Sequence, residues 1–399
     1  MASINLQGDT SGSISIQAPS VAGSNTLTLP KTTQTLATEN ALGVRNLIIN
    51  GDMRIAQRGT SFTSISQGSN EGYTLDRWRF HIFATSAHGT YTVSQDTDVP
   101  SGQGFANSLK VSCTTADTSL ASDPSVIIDT RLEGQNLQHL KKGTSSAEKF
   151  TVSFWVKSNL TGNAVLYLYD HDNNREIASL VNISTANTWE KKTITFDGDT
   201  TGAFDNDNGN SLTVRLYMAA GSDQTSGTLP TSWQNYTAGD TAAGISIDIG
   251  SSTSNYINIT GVQLEVGDTA TPFEHRPYDM ELQRCQRYYY RIDATVAGSY
   301  PSTGAYAIST TQAFVHFPFP VVMRTTPTAM ETTGTASDYR VVRCGLGTYA
   351  NCNLVPTMTT SMPHMGMAVW KVASGLSNGT AGAGNFATTS GYVGWSAEL

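Results

Sequence analysis

The chain has 399 residues, of which 14% are charged and 38% hydrophobic, with 36 glycines and a formal net charge of −8. That length suits two or three domains, and the scarcity of Glu, Lys and Arg excludes a protein built of long exposed helices. A basic stripe for nucleic acid is excluded too: residues 44–277 are strongly acidic, and in residues 293–399 Arg324, Arg340, Arg343 and Lys371 balance Asp293, Glu331, Asp338 and Glu398.

Residues 1–43 read as a separate device. The start, MASINLQGDTS, lacks the basic and apolar regions of a signal peptide, and no apolar run in the chain approaches a membrane span. Synthesis in a cytoplasm without membrane insertion is expected. Two alternating apolar pairs, Ile14/Ile16 and Leu27/Leu29, flank a turn. A segment this short and this poor in apolar side chains cannot bury a core alone. It is either a disordered tail or a strand-forming piece that folds against other chains.

Residues 44–277 alternate with period 2. Phe150, Val152, Phe154 and Val156 share one face of a strand; Leu212, Val214, Leu216 and Met218 share another. Ile257 and Ile259 give way to Val262, Leu264 and Val266 across Gly261, where a bulge is expected. One wet and one buried face per strand means antiparallel sheets packed as a sandwich. Trp155, opposite Phe154 and Val156, together with Trp189 and Trp233, is either ordinary packing or a stacking surface for sugar rings. The i, i+2 pairs Asp170/Asp172 and Asp205/Asp207 are either Asx turns or oxygen ligands for a structural Ca²⁺, although no bidentate Glu completes an EF-hand.

Residues 278–292 break the pattern. Leu282, Cys285, Tyr289 and Ile292, spaced 3, 4, 3, form one seam of a short linking helix, with YYYRI running into a following strand. A helix of this length needs cover, either from the chain's own sandwich or from copies of itself.

Residues 293–399 form a small β-rich domain. Strands are expected before Pro318 and Pro320, in RVVRCGL, in GMAVWKV and in GYVGWSAEL, with NGTAGAGNFATTSG as a flexible loop. Tyr300, Tyr306, Tyr339, Tyr349, Trp370 and Tyr392 are candidate glycan contacts by location, on a surface neutral enough to read hydroxyls rather than charge. Met358, Met362, Met365 and Met367 around His364 would suit an adaptable apolar patch or, less simply, Cu(I). Cys113, Cys285, Cys344 and Cys352 lack metal-ligand spacing and read as free thiols, a Cys344–Cys352 pair being open only in oxidising surroundings. No paired-carboxylate, P-loop or nucleophile-elbow signal is present, so no catalytic residue is assigned and no enzyme is expected.

The succession NLIINGDMRIAQRGTSF, YTLDRWRF, TVSFWVKSN and ITGVQLEVGDTATPFEHRPYDMELQRCQRYYYRI closely resembles tail-fibre proteins of tailed bacteriophages. The earlier APSVAGSNTLTLP is similar to their virion-proximal piece, and the closing WSAEL to their chain ends. The resemblance implies an all-β homotrimer made in the host cytoplasm and carried on the virion tail. Residues 1–43 would hold a tail or baseplate protein, 44–277 would form a jelly-roll sandwich resembling carbohydrate-binding modules, and 293–399 would be a receptor-binding tip for a host surface polysaccharide. The Leu282/Cys285/Tyr289/Ile292 seam would then line the threefold axis. A glycan-degrading tailspike and a structural capsid or head fibre are the alternatives.

Overall fold

The computed structural model describes residues 3–7, 13–17, 45–302, 304–343 and 347–399. Two compact units are present, Met1–Leu42 and Gly43–Leu399. In the first, Ser3–Gln7 and Ser13–Gln17 pair antiparallel, with Leu6 opposite Ile14 and Ile4 opposite Ile16. Leu27 and Leu29 lie outside the described residues.

The second unit is almost entirely antiparallel β-structure. Its larger part is a sandwich of two sheets. One has seven strands, in the order Gln234–Asn235, Arg175–Ile183, Gly162–Asp170, Asn210–Ala220, Ser125–Glu133, Arg79–Phe83 and Gly72–Tyr73. The other has six, in the order Glu190–Phe196, Phe150–Ser158, Tyr256–Val266, Ser108–Thr115, Thr90–Asp96 and Ser61–Ile65. Neighbours in the sheets are mostly distant in sequence, as in a jelly roll rather than a meander.

Binary patterning explains the core. Phe150, Val152, Phe154 and Val156 on one sheet, and Leu212, Val214, Leu216 and Met218 on the other, are all buried in one apolar cluster. Each such side chain contributes about 1.5–3 kcal/mol on burial. The bulge falls at Gly261, where pairing with Phe150–Ser158 slips between Thr260 and Gln263. Gly261 has φ +62, and a Cβ there would lie 2.5 Å from the Phe105 ring, so only glycine fits.

The smaller part has its own core around Phe317, Tyr339, Trp370, Phe386 and Trp395. Its seven-stranded sheet runs Thr348–Asn351, Tyr339–Arg343, Ala381–Phe386, Gly304–Ala307, Gln312–Pro318, Met365–Lys371 and Thr357–Met358. A three-stranded sheet, Tyr289–Asp293, Tyr392–Ser396 and Ala329–Thr332, completes it. The expected flexible loop in NGTAGAGNFATTSG is corrected here: Ala381–Phe386 is a central strand. Small residues are required rather than merely tolerated. A Cβ on Gly382 would meet Val342 O at 2.7 Å, and one on Gly384 would meet Val315 Cγ1 at 2.7 Å and the Trp370 ring at 3.1 Å.

The linking helix is shorter than its sequence spacing suggests. It spans Tyr278–Gln286, and after Arg287 and Tyr288 the chain continues as the strand Tyr289–Asp293. Leu282, Cys285, Tyr289 and Ile292 therefore do not form one helical seam. Cys285 and Tyr289 are fully buried within a single chain, Leu282 is half-buried, and Ile292 packs against the smaller core.

The three consecutive tyrosines go to three places. Tyr288 donates to Glu133 of the sandwich and stacks under the Arg77 guanidinium, 3.6 Å away. Tyr289 donates to Glu331 at 2.7 Å and lies 3.6 Å below Arg58. Tyr290 stacks on Trp395 in the smaller core. Arg77 and Arg58 share Glu398. Arg324 joins Asn208 O at 2.9 Å to Glu398 O at 2.7 Å. The joint is thus a buried ionic and aromatic lock, in which long cations reach carboxylates on the opposite side.

Candidate functional site

Alternation has a consequence on the far side of the seven-stranded sandwich sheet. Where Leu166, Leu168, Val214, Leu216, Ile128 and Phe80 point into the core, their neighbours Val165, Tyr167, Tyr169, Thr213, Arg215, Tyr217, Ile127, Asp129, Arg131, Arg79, His81 and Phe83 face away. Register aligns them in rows. Ala178, Tyr167, Arg215, Asp129 and Arg79 stand side by side on five successive strands, and Glu176, Tyr169, Thr213 and Arg131 form the next row.

Half of this face is covered. The connection between Asn210–Ala220 and Tyr256–Val266 folds back, and its Ala242, Leu229 and Ile245 pack on Ile127, Val165, Tyr167 and Tyr217 as a second small apolar cluster. Pro230 O accepts from Ala178 N, holding this excursion on the sheet. The other half is open, with Phe83 44% and Tyr236 43% exposed at its two sides.

The open half is an aromatic and ionic floor. Tyr169 lies parallel to Tyr167 and meets His171 and Tyr236 edge-on, at centroid distances of 4.6 and 5.6 Å. Its hydroxyl donates to Asn174 Oδ1 at 2.6 Å, which fixes the ring. Glu176 is buried and accepts from Tyr167, Gln234 and Thr237 N; burial pushes its carboxyl up, against those bonds. Asp129 is fully buried. Burial alone would raise it, but His81 and the Arg79 guanidinium hold it well below the usual carboxylate range. Arg79 is bidentate on it, at 3.1 and 2.7 Å.

The histidines here are held below their usual range. Burial, then the charges of Arg215 and Arg131, push His171 down to about 4, and its Nε2 sits 2.7 Å from Thr213 Oγ1. Burial also lowers His81, against the pull of Asp129, and, away from this floor, His139 in the turn after Ser125–Glu133. An unfolded chain titrates these imidazoles near about 6.5. Below that pH the unfolded state takes up protons that the folded state refuses. Stability is therefore expected to fall as pH drops from about 6.5 towards 4. Urea midpoints at successive pH values check this, and His171→Gln should flatten the slope.

The earlier sequence candidates are placed as follows. Tyr339 and Trp370 have no exposed surface and are corrected to core residues of the smaller part: they pack edge-on at 5.4 Å, and the Tyr339 hydroxyl donates to Tyr392 O. Tyr300, Tyr306 and Tyr349 are exposed, and Tyr392 is half-buried beneath Arg291. They are not gathered: two strands separate Tyr306, stacked on His316, from Tyr349, which lies under Arg340.

In the sandwich, Trp155 stands between Lys191 and Thr260 on the outer side of the six-stranded sheet. Trp189 is tied to Asp98, and Trp233 to Asp197 O. None of the three lies on the open floor.

The Asp pairs do not converge. Asp170 is fully buried against the Lys142 ammonium at 2.6 Å, and its other oxygen accepts from Asp172 N and Asn173 N. Asp172 accepts from Asp205 N, and Asp207 from Gly209 N. Among the described residues no group of three or more His, Cys, Asp or Glu is arranged to hold a metal. The methionines divide as well: Met358 turns to the core of the smaller part, whereas Met365 and Met367 alternate with buried Gly366 and Ala368 and Met362 is exposed. Cys113, Cys285 and Cys352 are buried free thiols, and Cys344 lies outside the described residues.

Phe83, Tyr169, Tyr236, Arg215 and His171 escaped the sequence reading. The signal that marks them is a strand whose second face is also large, as in VLYLYD and TVRLYM, instead of carrying Ser and Thr.

No family model matches the chain, and no curated protein matches it. Solved structures similar to it include the enzymatically active domain of bacteriophage CBA120 tailspike protein 4, at 14% identity and TM-score 0.28 over 52% of this chain and 22% of that one. A putative sugar binding protein of Bacteroides thetaiotaomicron has 12% identity and TM-score 0.31, over 56% of this chain and all of its own. A family 11 carbohydrate-binding module of a cellulosomal cellulase of Clostridium thermocellum has 13% identity and TM-score 0.24, over 54% and 96%. The chain thus spans under a quarter of the tailspike chain's length. Likenesses this distant carry no argument about activity, and the sandwich rests on its own sheet order.

Proposed function

We propose that this chain is a glycan-binding adhesin of a phage tail fibre, working as a homotrimer on the virion tail, with residues 1–43 towards a tail or baseplate protein. The observation that carries the glycan reading is the open floor of the seven-stranded sheet. Tyr169 and Tyr236 present two rings edge to face, Phe83 closes the far side, and the half-buried Arg79, His171 and Arg215 line the floor between them. Ring faces take the C–H faces of sugars, and fixed polar groups read hydroxyls. The virion assignment is supported by the sequence resemblance described above.

The test uses the whole chain. It should block adsorption of the phage to its host and sediment as a trimer. Tyr169→Ala and Tyr236→Ala should each weaken binding by about 1 kcal/mol, roughly fivefold, and together more. Blocking left intact in a folded double variant would remove this floor from the role. Reducing ends released from host polysaccharide would replace the adhesin reading with a degrading one.

A further inference from the structure

We infer that the open floor takes an acidic glycan, one whose repeat carries a carboxylate or a phosphodiester, and that Arg215 receives the negative charge. The inference rests on the glycan-binding reading above and names the class of glycan.

The protein's net charge of −8 would repel a polyanion, yet this floor has the opposite sign. Arg79, Arg131 and Arg215 surround one buried carboxylate, Asp129. The second carboxylate in the rows, Glu176, is already engaged by Tyr167, Gln234 and Thr237 N.

Two of the three guanidiniums hold oxygen acceptors, although Arg131 Nε, like Arg215 Nε, is buried without a partner. Arg79 takes Asp129 with both prongs, and Arg131 Nη1 donates to Leu399 O at 2.6 Å. Arg215 is different. Its Nε lies 3.7 Å from Asp129 Oδ2, beyond hydrogen-bond length, and is buried without a partner. The Tyr217 phenol is within hydrogen-bonding reach of its guanidinium, and no described carboxylate lies within hydrogen-bond length of it. The phenol of Tyr217 and the neutral imidazole of His171 are its other polar neighbours. A guanidinium that no carboxylate hydrogen-bonds keeps donors for a ligand oxyanion.

Its surroundings match such a ligand. Arg215 sits mid-row, between Tyr167 and Asp129, on a central strand. The rings of Phe83, Tyr167 and Tyr169 lie 5.4, 5.7 and 5.7 Å from its Cζ, within cation–π range. A sugar stacked on Tyr169 would therefore bring a ring substituent to the guanidinium. An uronate carboxylate and a backbone phosphodiester are equally suited by charge, and the test separates them.

The experiment is binding of the full chain to a printed panel of polyuronates, poly(glycerol phosphate), and neutral galactans and glucans. Retention on polyuronates or on poly(glycerol phosphate) is expected, and which of the two binds identifies the source of the charge. Binding should weaken with added salt and fall at least roughly tenfold in Arg215→Gln, with Arg215→Lys between them. Thermal unfolding confirms that both variants fold; should Arg215→Gln fail to fold, salt dependence and Arg215→Lys decide. Retention on neutral glycans alone overturns the inference and leaves the glycan reading standing. Acidic binding unchanged in folded Arg215→Gln also overturns it. Retention on nothing overturns both.

Discussion

Lys142→Ala is expected to lower the stability of the sandwich by about 3–5 kcal/mol, a cost typical of removing one partner from a buried ion pair. The Lys142 side chain is 4% exposed, and its ammonium is held by Asp170 Oδ2 at 2.6 Å, Asp199 Oδ2 at 3.1 Å, Thr201 O at 2.9 Å and Gly202 O at 2.7 Å. The rings of Phe204 and Trp233 lie 5.2 and 5.4 Å from it. The substitution strands the fully buried Asp170, whereas Asp199 keeps Arg175. Urea unfolding followed by tryptophan fluorescence measures the loss. A double cycle isolates its cause: with Asp170 already changed to Asn, removing Lys142 should cost markedly less. Equal costs in both backgrounds would mean that the ammonium merely fills space.

That cluster shows where sequence reading stops. Asp170 was legible as an oxygen donor, but its cation stands 28 positions earlier and meets it only through the fold. Strand faces were legible because alternation is local: Phe150, Val152, Phe154 and Val156, and Leu212, Val214, Leu216 and Met218, all turned inward. Gly261 was legible because a phase change leaves a mark in the chain. Ala381–Phe386 was not, since its strand character comes from the tight space between Val342 and Val315 rather than from its own propensity. The open floor needed cross-strand register. Tyr169, Thr213 and Arg131 are far apart in sequence and become one row only when Gly162–Asp170, Asn210–Ala220 and Ser125–Glu133 pair. Tyr339 and Trp370 misled for a related reason, because an aromatic in an alternating strand carries no label saying whether its face is wet.

The other large effect is expected at the joint. Glu398→Ala removes the carboxylate shared by Arg77 and Arg58, whose side chains are 1% and 7% exposed. Arg77 then keeps the Arg131 carbonyl and the rings of Tyr288 and Tyr73. It also holds a left-handed backbone, φ +69, a conformation that non-glycine residues adopt only when their surroundings enforce it. Loss of about 3–5 kcal/mol follows from leaving the buried Arg77 without a counter-charge, while Arg58 falls back on Glu331 at 3.9 Å. The sandwich and the smaller part have separate apolar cores, so the loss should fall on their coupling. Calorimetry is expected to show one transition for the parent chain and two for Glu398→Ala, with the smaller part melting first. Glu398→Gln keeps the shape without the charge and should lie between them. A single transition shifted as a whole would place the energy of Glu398 within one core, and the tyrosine-and-arginine joint would then be a consequence of packing, not its cause.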